Sequence, residues 1–254
     1  MDALELRRLL RVKLKPALPR RFAVVACHVL WREITYYASQ LPNTYDFFFL
    51  EQGLHDVPEL LQQEVQTTVE KLDTGNYDAI LIGYGLCSKG LSNLKAKNIP
   101  LVIVKAHDCI TFFLGSKERY REFFSKNPGT YWFTPGWIED NIMPGPDRES
   151  AVKEIFEEVY GKENAEFIIK SSENWKQNYD TAVYIDLAIG NRDWARQYAI
   201  RCAKHMGWKY KELRGNPSLL IRWLYGDWSN PEDFIVLQPG ETLVPTFDDQ
   251  VFKK

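Results

Sequence analysis

Two short apolar runs, Ala79 to Ile82 and Leu101 to Val104, constrain this chain more than anything else in it. Each is β-branched or aliphatic, bounded by turn residues and too short for a helix, so each reads as a strand buried on both faces. Both runs end in reactive side chains. The first delivers Gly83, Tyr84, Gly85 and then Cys87; the second delivers His107, Asp108 and Cys109. A third run, Phe22 to Ala26, ends alike in Cys27 and His28. In an open parallel sheet the groups just past the carboxyl ends of neighbouring strands face one crevice, so these three runs predict one shared thiol or metal site.

The rest of the chain supplies the helices such a sheet needs. After Cys27 the positions Leu30, Ile34, Tyr37, Ala38 and Leu41 recur at helical spacing, which puts Cys27 at a strand-to-helix junction where a thiol ionises more readily. Thr44 to Leu50 reads as a strand. Val57, Leu60, Leu61, Val65, Val69 and Leu72 then mark an amphipathic helix with Asp56 as its N-cap and Pro58 in its first turn. A helix from Lys117 to Phe124 has Ser116 as N-cap, and Gly115-Ser116 would aim backbone N–H groups at an anion. These elements predict an α/β lobe over residues 22–125.

Residues 126–149 are dense in Pro, Gly and aromatics and read as an ordered crossover or lid, with Tyr131, Trp132, Phe133 and Trp137 over the crevice or packed as a connector. Over 150–245 the strand and helix pattern returns. A helix over 150–160, a strand from Thr181 to Ile185, a helix with Trp194, Tyr198, Cys202 and Met206 on one face, a strand from Trp208 to Leu213, a helix from Ser218 to Tyr225 and a strand from Phe234 to Leu237 follow in order. That order predicts two similar parallel-sheet, Rossmann-like α/β lobes with a cleft between them.

Charge and hydropathy narrow the class of partner. A net charge of -2 and a pI near 6.1 argue against nucleic-acid binding, which calls for a basic domain. No apolar run approaches the roughly 18 to 20 residues of a bilayer span, so no integral membrane segment is expected. Met-Asp-Ala-Leu-Glu is no signal peptide, and the expected location is a reducing cytoplasm, where clustered thiols mean metal or catalysis rather than disulfides. Leu4, Leu6, Leu9, Leu10 and Val12 interleave with Arg7, Arg8, Arg11, Lys13 and Lys15. That pattern suits a basic amphipathic helix for a membrane surface or acidic partner, or a terminal helix packed on its own domain.

Cys202 sits at helical spacing with Trp194, Tyr198 and Met206 and reads as a small buried hydrophobe. Cys27, Cys87 and Cys109 each lie past a strand end. With His107 they form a candidate ligand set for Zn²⁺, as Cys₃ or Cys₂His with an open position, or for three corners of a [4Fe–4S] cluster. The spacing has no CxxC and selects neither metal. A metal-free catalytic thiol and buried structural cysteines remain alternatives. His107 and Cys109 point opposite ways in an extended chain, so both reach one ion only if that turn is bent. Tyr84 and Asp108 are placed to orient a substrate, and Gly83, Gly85 and Ser116 to approach a cofactor. Gly83-Tyr84-Gly85 lacks the GxGxxG pattern and implies no nucleotide. His28, His55 and Asp56 are weaker candidates, Glu33 is expected at the surface, and Asp186 follows the second lobe's first strand.

GYGLC at 83–87, AHDCITFFLGSKERY at 106–120 and GTYWFTPGWIE at 129–139, with Ala26-Cys27 upstream, resemble the domain-of-unknown-function family 1638. The resemblance implies proteins of anaerobic bacteria and methanogens, associated with corrinoid-dependent methyl transfer, and its Cys and His motifs fall on Cys27, Cys87, His107 and Cys109. Lys105 stands where the family pattern has Arg. Two functions follow. One is a metal–thiolate transferase acting on a small-molecule thiol or methyl acceptor. The other is a non-catalytic carrier of metal, cluster or corrinoid for a methyltransferase partner.

Overall fold

The computed structural model describes residues 18–85, 90–246 and 251–253. The basic amphipathic pattern of the first 15 residues and Cys87 therefore lie outside the described residues. The chain forms two compact units, one of residues 1–120 with 215–254 and one of 121–214.

The first unit opens on β1 (Arg21–Cys27), whose last six residues are all buried, and a 3₁₀ turn that leads into α1 (Trp31–Ala38). β2 (Thr44–Leu50) follows, then α2 (Pro58–Leu72), β3 (Ala79–Gly83), β4 (Leu101–Val104), the short α3 (Ile110–Leu114) and α4 (Lys117–Lys126), inside which the unit boundary falls. α2 begins with Pro58 at its first position, as expected, but its N-cap is Val57 without a side-chain hydrogen bond, so Asp56 does not cap it. Proline has no N–H to satisfy there, which removes part of the need for a cap.

In the second unit, β5 (Thr130–Phe133) and α5 (Pro135–Asp140) precede the long helices α6 (Pro146–Tyr160) and α7 (Lys162–Ser172). β6 (Thr181–Asp186), α8 (Arg192–Met206) and β7 (Lys209–Arg214) complete it. The chain then returns to the first unit with α9 (Ser218–Tyr225), β8 (Phe234–Leu237) and the two-residue strands β9 (Val244–Pro245) and β10 (Phe252–Lys253).

Both units are α/β with parallel sheets, in line with the expected Rossmann-like class. The first sheet has the order β2-β1-β3-β4-β8, parallel throughout except for β8, which runs antiparallel to β4 with Leu101 opposite Leu237. The second has the order β5-β6-β7, all parallel. Every residue of β3 and β4 is buried, as both faces of a helix-covered parallel sheet must be.

Three expectations about organisation are corrected. Residues 215–245 do not belong to a second lobe: β8 pairs with β4, and α9 buries Leu219, Leu220, Ile221, Trp223 and Leu224 in the first unit. The segment 126–149 is not a crossover or lid, because Thr130 to Phe133 pair in register with Thr181 to Tyr184. The exposed stripe of α8 also differs: Trp194 is 46% exposed, and Ala195, Ala199, Cys202 and Ala203 face the core. Small residues there let α8 lie close on its sheet, while a large ring would hold it away.

Candidate functional site

The strand order places the candidate residues. From β1 the chain steps to one side to make β2, then returns past β1 to make β3 and β4. The direction of winding reverses between β1 and β3, and in open α/β sheets that switch point, at the carboxyl ends of the strands, is where ligands bind. Cys27 is the last residue of β1, and Tyr84 and Gly85 directly follow β3.

Close packing holds these strand ends together. Ala26 lies opposite Gly83, and a Cβ on Gly83 would come within 2.4 Å of the Ala26 Cβ and 3.2 Å of the Trp223 ring. Real carbon atoms do not approach so closely, so only glycine fits. One residue on, Cys27 and Tyr84 are both buried. A Cβ on Gly85 would meet the backbone of Asp108 at 2.8 Å and the carbonyl oxygen of Ala106 at 2.9 Å, which joins the segment after β3 to the segment after β4. Gly83 thus makes room for the Ala26 methyl and the Trp223 ring, and Gly85 lets two backbone segments touch.

Beyond β4 the chain bends and does not run on extended. Cys109, half-buried, has helical dihedrals (φ -62°, ψ -22°) and is the N-cap of α3. His107 and Asp108 are half-buried. The Asp108 carboxylate accepts a hydrogen bond from the Ile110 N–H at 3.0 Å. Burial pushes the Asp108 carboxyl above its ordinary range, against the opposing pull of Tyr120, the Ile110 and Thr111 N–H groups and His107. α3 ends on Gly115 in the left-handed region (φ 80°), where a side chain would strike Asn216. Ser116 then serves as the expected cap, its hydroxyl accepting from the Arg119 N–H at 3.1 Å, so this oxygen stabilises α4.

Cys27, Cys109 and Cys202 form no disulfide. Cys202 is 1% exposed in the second unit, as expected of a small core residue. Among the described residues no three His, Cys, Asp or Glu side chains are placed to hold a metal ion. Cys27, His107 and Cys109 therefore make no three-ligand set by themselves, and a three-thiol set requires Cys87.

Two buried ionisable residues stand out at the same end of the sheet. Glu33, expected at the surface, is fully buried on α1, and Lys105, which directly follows β4, is 8% exposed. Glu33 shares the helical stripe of Leu30, Ile34 and Tyr37, so its spacing announced burial and only its charge argued otherwise. His28 packs between rings, 6.2 Å from Trp31 and 5.9 Å from Phe49. His55 is 39% exposed and 3.5 Å from Asp56 on the surface.

In the second unit, Asp186 ends β6 and accepts both a bidentate pair from Arg192 and the Ala188 N–H at 2.8 Å. Arg196 bridges this group to Glu212 on β7 at 2.8 and 2.9 Å. The network is saturated by its own arginines and reads as structural.

Among the described residues no helix is long and apolar enough to cross a membrane. Neither a curated protein nor a solved structure matches the chain. The model of a family described as "Protein of unknown function (DUF1638)" matches residues 49–224, a stretch that holds Cys87, His107 and Cys109 and starts after Cys27. With more than half of its length matched, the chain belongs to the DUF1638 family.

Proposed function

We propose that the carboxyl edge of the first sheet is a thiolate site in which Cys27, Cys87 and Cys109 hold a soft metal centre, Zn²⁺ or a [4Fe–4S] cluster, with one coordination position left for a substrate. The observation that supports this is the topology: the segments bearing the three cysteines leave the adjacent strands β1, β3 and β4 at one edge, astride the switch point. Three soft sulfur donors suit zinc and iron–sulfur centres and do not suit magnesium or calcium. When bound, such a centre acts as a Lewis acid toward a thiol or methyl-group acceptor. Tyr84 and Asp108 orient that substrate as hydrogen-bonding groups beside the thiolates. The family resemblance adds the setting, cytoplasmic corrinoid-linked one-carbon metabolism, with a transferase activity or delivery to a methyltransferase as the two forms the role takes.

Metal analysis and an absorption spectrum of protein purified without oxygen test the reading. Stoichiometric zinc, or iron with a broad visible band, is expected in wild type and in Cys202→Ala, with loss in Cys27→Ala, Cys87→Ala and Cys109→Ala. A wild-type protein that contains no stoichiometric metal and takes none up overturns the metal site and leaves a catalytic thiol as the reading of the same edge. Turnover of a methyl donor separates enzyme from carrier.

A further inference from the structure

The 121–214 unit has a cavity of its own, of about 290 Å³, at the start of α6. Trp175, Val152, Ile169 and Met206 give it apolar walls. Arg148, Lys153 and Lys176 also line it, with one carboxylate, Glu149.

That carboxylate is already engaged. Lys176 approaches one Glu149 oxygen at 2.9 Å and His205 the other at 2.9 Å. Asp147, the other acid in the first turn of α6, is bound by Arg201. Arg148 makes a long contact to the Ile142 carbonyl, at 3.5 Å, and its guanidinium sits over the Trp175 ring, 5.8 Å from its centre. Lys153 meets Glu157 at 3.9 Å, a weak surface contact. With Lys176 and His205 spent on Glu149, Arg148 and Lys153 are the positive charge that remains at the cavity, and the amino end of the 15-residue α6 adds to it.

The wall is rigid as well as apolar. Trp175 packs on Tyr131 at 6.3 Å and on Tyr179 at 6.0 Å, and both rest on Trp208. An aromatic wall held in this way loses little freedom when a flat ring lies against it. The volume lies at the lower edge of the roughly 300 to 1,000 Å³ typical of small-molecule sites, which selects a small ligand.

We infer that this cavity binds a small aromatic carboxylate, the ring against Trp175, Val152 and Met206 and the carboxylate at Arg148 and Lys153. A neutral ring lacks the charged contact, and a non-aromatic acid lacks the wall.

Calorimetric titration of the full chain with naphthoate, and with the neutral naphthalene methanol, tests this. Wild type is expected to bind naphthoate saturably at one site and at least about tenfold more tightly than the alcohol, the value of one charge-assisted contact. Arg148→Gln, at an exposed side chain whose loss leaves the fold intact, should weaken naphthoate by about tenfold. Val152→Trp should fill the cavity and abolish binding, with circular dichroism confirming the fold, and Arg21→Gln, an exposed side chain of the first unit, should change nothing. No saturable binding by wild type, equal affinity for the alcohol, or unchanged affinity in Arg148→Gln would overturn the site.

Discussion

A Cβ built on Gly85 would lie 2.8 Å from both the backbone nitrogen and the Cα of Asp108. The segment after β3 and the segment after β4 are thus in contact through backbone, and the position of Asp108 depends on the absence of a side chain two residues before Cys87.

Gly85→Ala should therefore push the two segments apart. The methyl group meets main chain rather than a flexible side chain, so the cost is that of overpacking, about 1 to 3 kcal/mol. In urea unfolding the variant should remain cooperative but shift to a lower midpoint. Its Cys109 should react with iodoacetamide at a rate different from wild type while Cys202 stays protected. An unchanged midpoint and an unchanged Cys109 rate would mean that the contact does not position the site.

The elements around this contact were legible for a simple reason. β1, β3 and β4 are apolar runs buried on both faces, and α2 has a clean helical stripe, so local pattern and tertiary burial agree. β8 shows what local pattern cannot carry. Phe234 to Leu237 reads plainly as a strand, yet nothing within it says that it pairs with Leu101 to Val104, more than a hundred residues earlier, rather than with the nearer β7. Thr130 to Phe133 was hidden differently, because flanking Pro and Gly suggest irregular chain while the four residues between them form a sheet edge. Glu33 was misplaced because charge outweighed spacing, as burial of a carboxylate is uncommon.

Asp186 and Arg192 should make the second unit sensitive to acid. Burial opposes the Asp186 charge, but the Arg192 hydrogen bonds, the Ala188 N–H and the charges of Arg192 and Arg196 outweigh it and hold the carboxyl below its usual range. Such a group stabilises the fold above the unfolded pKa, about 3.9, and that contribution is lost as pH falls through the lower folded value. Arg192→Gln should cost about 1 to 2 kcal/mol near neutrality, discounted because the arginine is 46% exposed. The difference from wild type should shrink below about pH 3. A penalty that does not change between neutral and acid pH would show that the arginine acts through packing alone.

Cys202 sets the opposite slope. Burial pushes its thiol up to about 11, above the roughly 8.5 of an unfolded chain. As pH rises through this window the unfolded thiol ionises and the folded one does not, so the unfolded state gains and stability falls. Urea midpoints compared at about pH 8 and about pH 10 should fall less in Cys202→Ala than in wild type. The substitution itself should cost about 1 kcal/mol at the lower pH. An identical fall in both proteins would leave the thiol without a part in the alkaline slope.

The first unit needs the residues that return to it after the second. Trp223 on α9 is fully buried, its indole N–H donates to the Val102 carbonyl at 3.2 Å, and its ring meets Phe112 edge-on at 5.8 Å. It also touches the space that Gly83 leaves open. β8 meanwhile covers the edge of β4 along all four residues. A chain ending at Arg214 would lose both, leaving an apolar cavity in the core and a bare, fully apolar strand edge. Trp223→Ala in the full chain should cost about 3 to 5 kcal/mol, read as a lower urea midpoint for the first unit. The truncated chain should lose near-ultraviolet signal from that unit and expose Cys27 and Cys109 to rapid alkylation. If residues up to 214 unfold as cooperatively as the full chain, with Cys27 still protected, then α9 and β8 are accessories to a sheet that is stable without them.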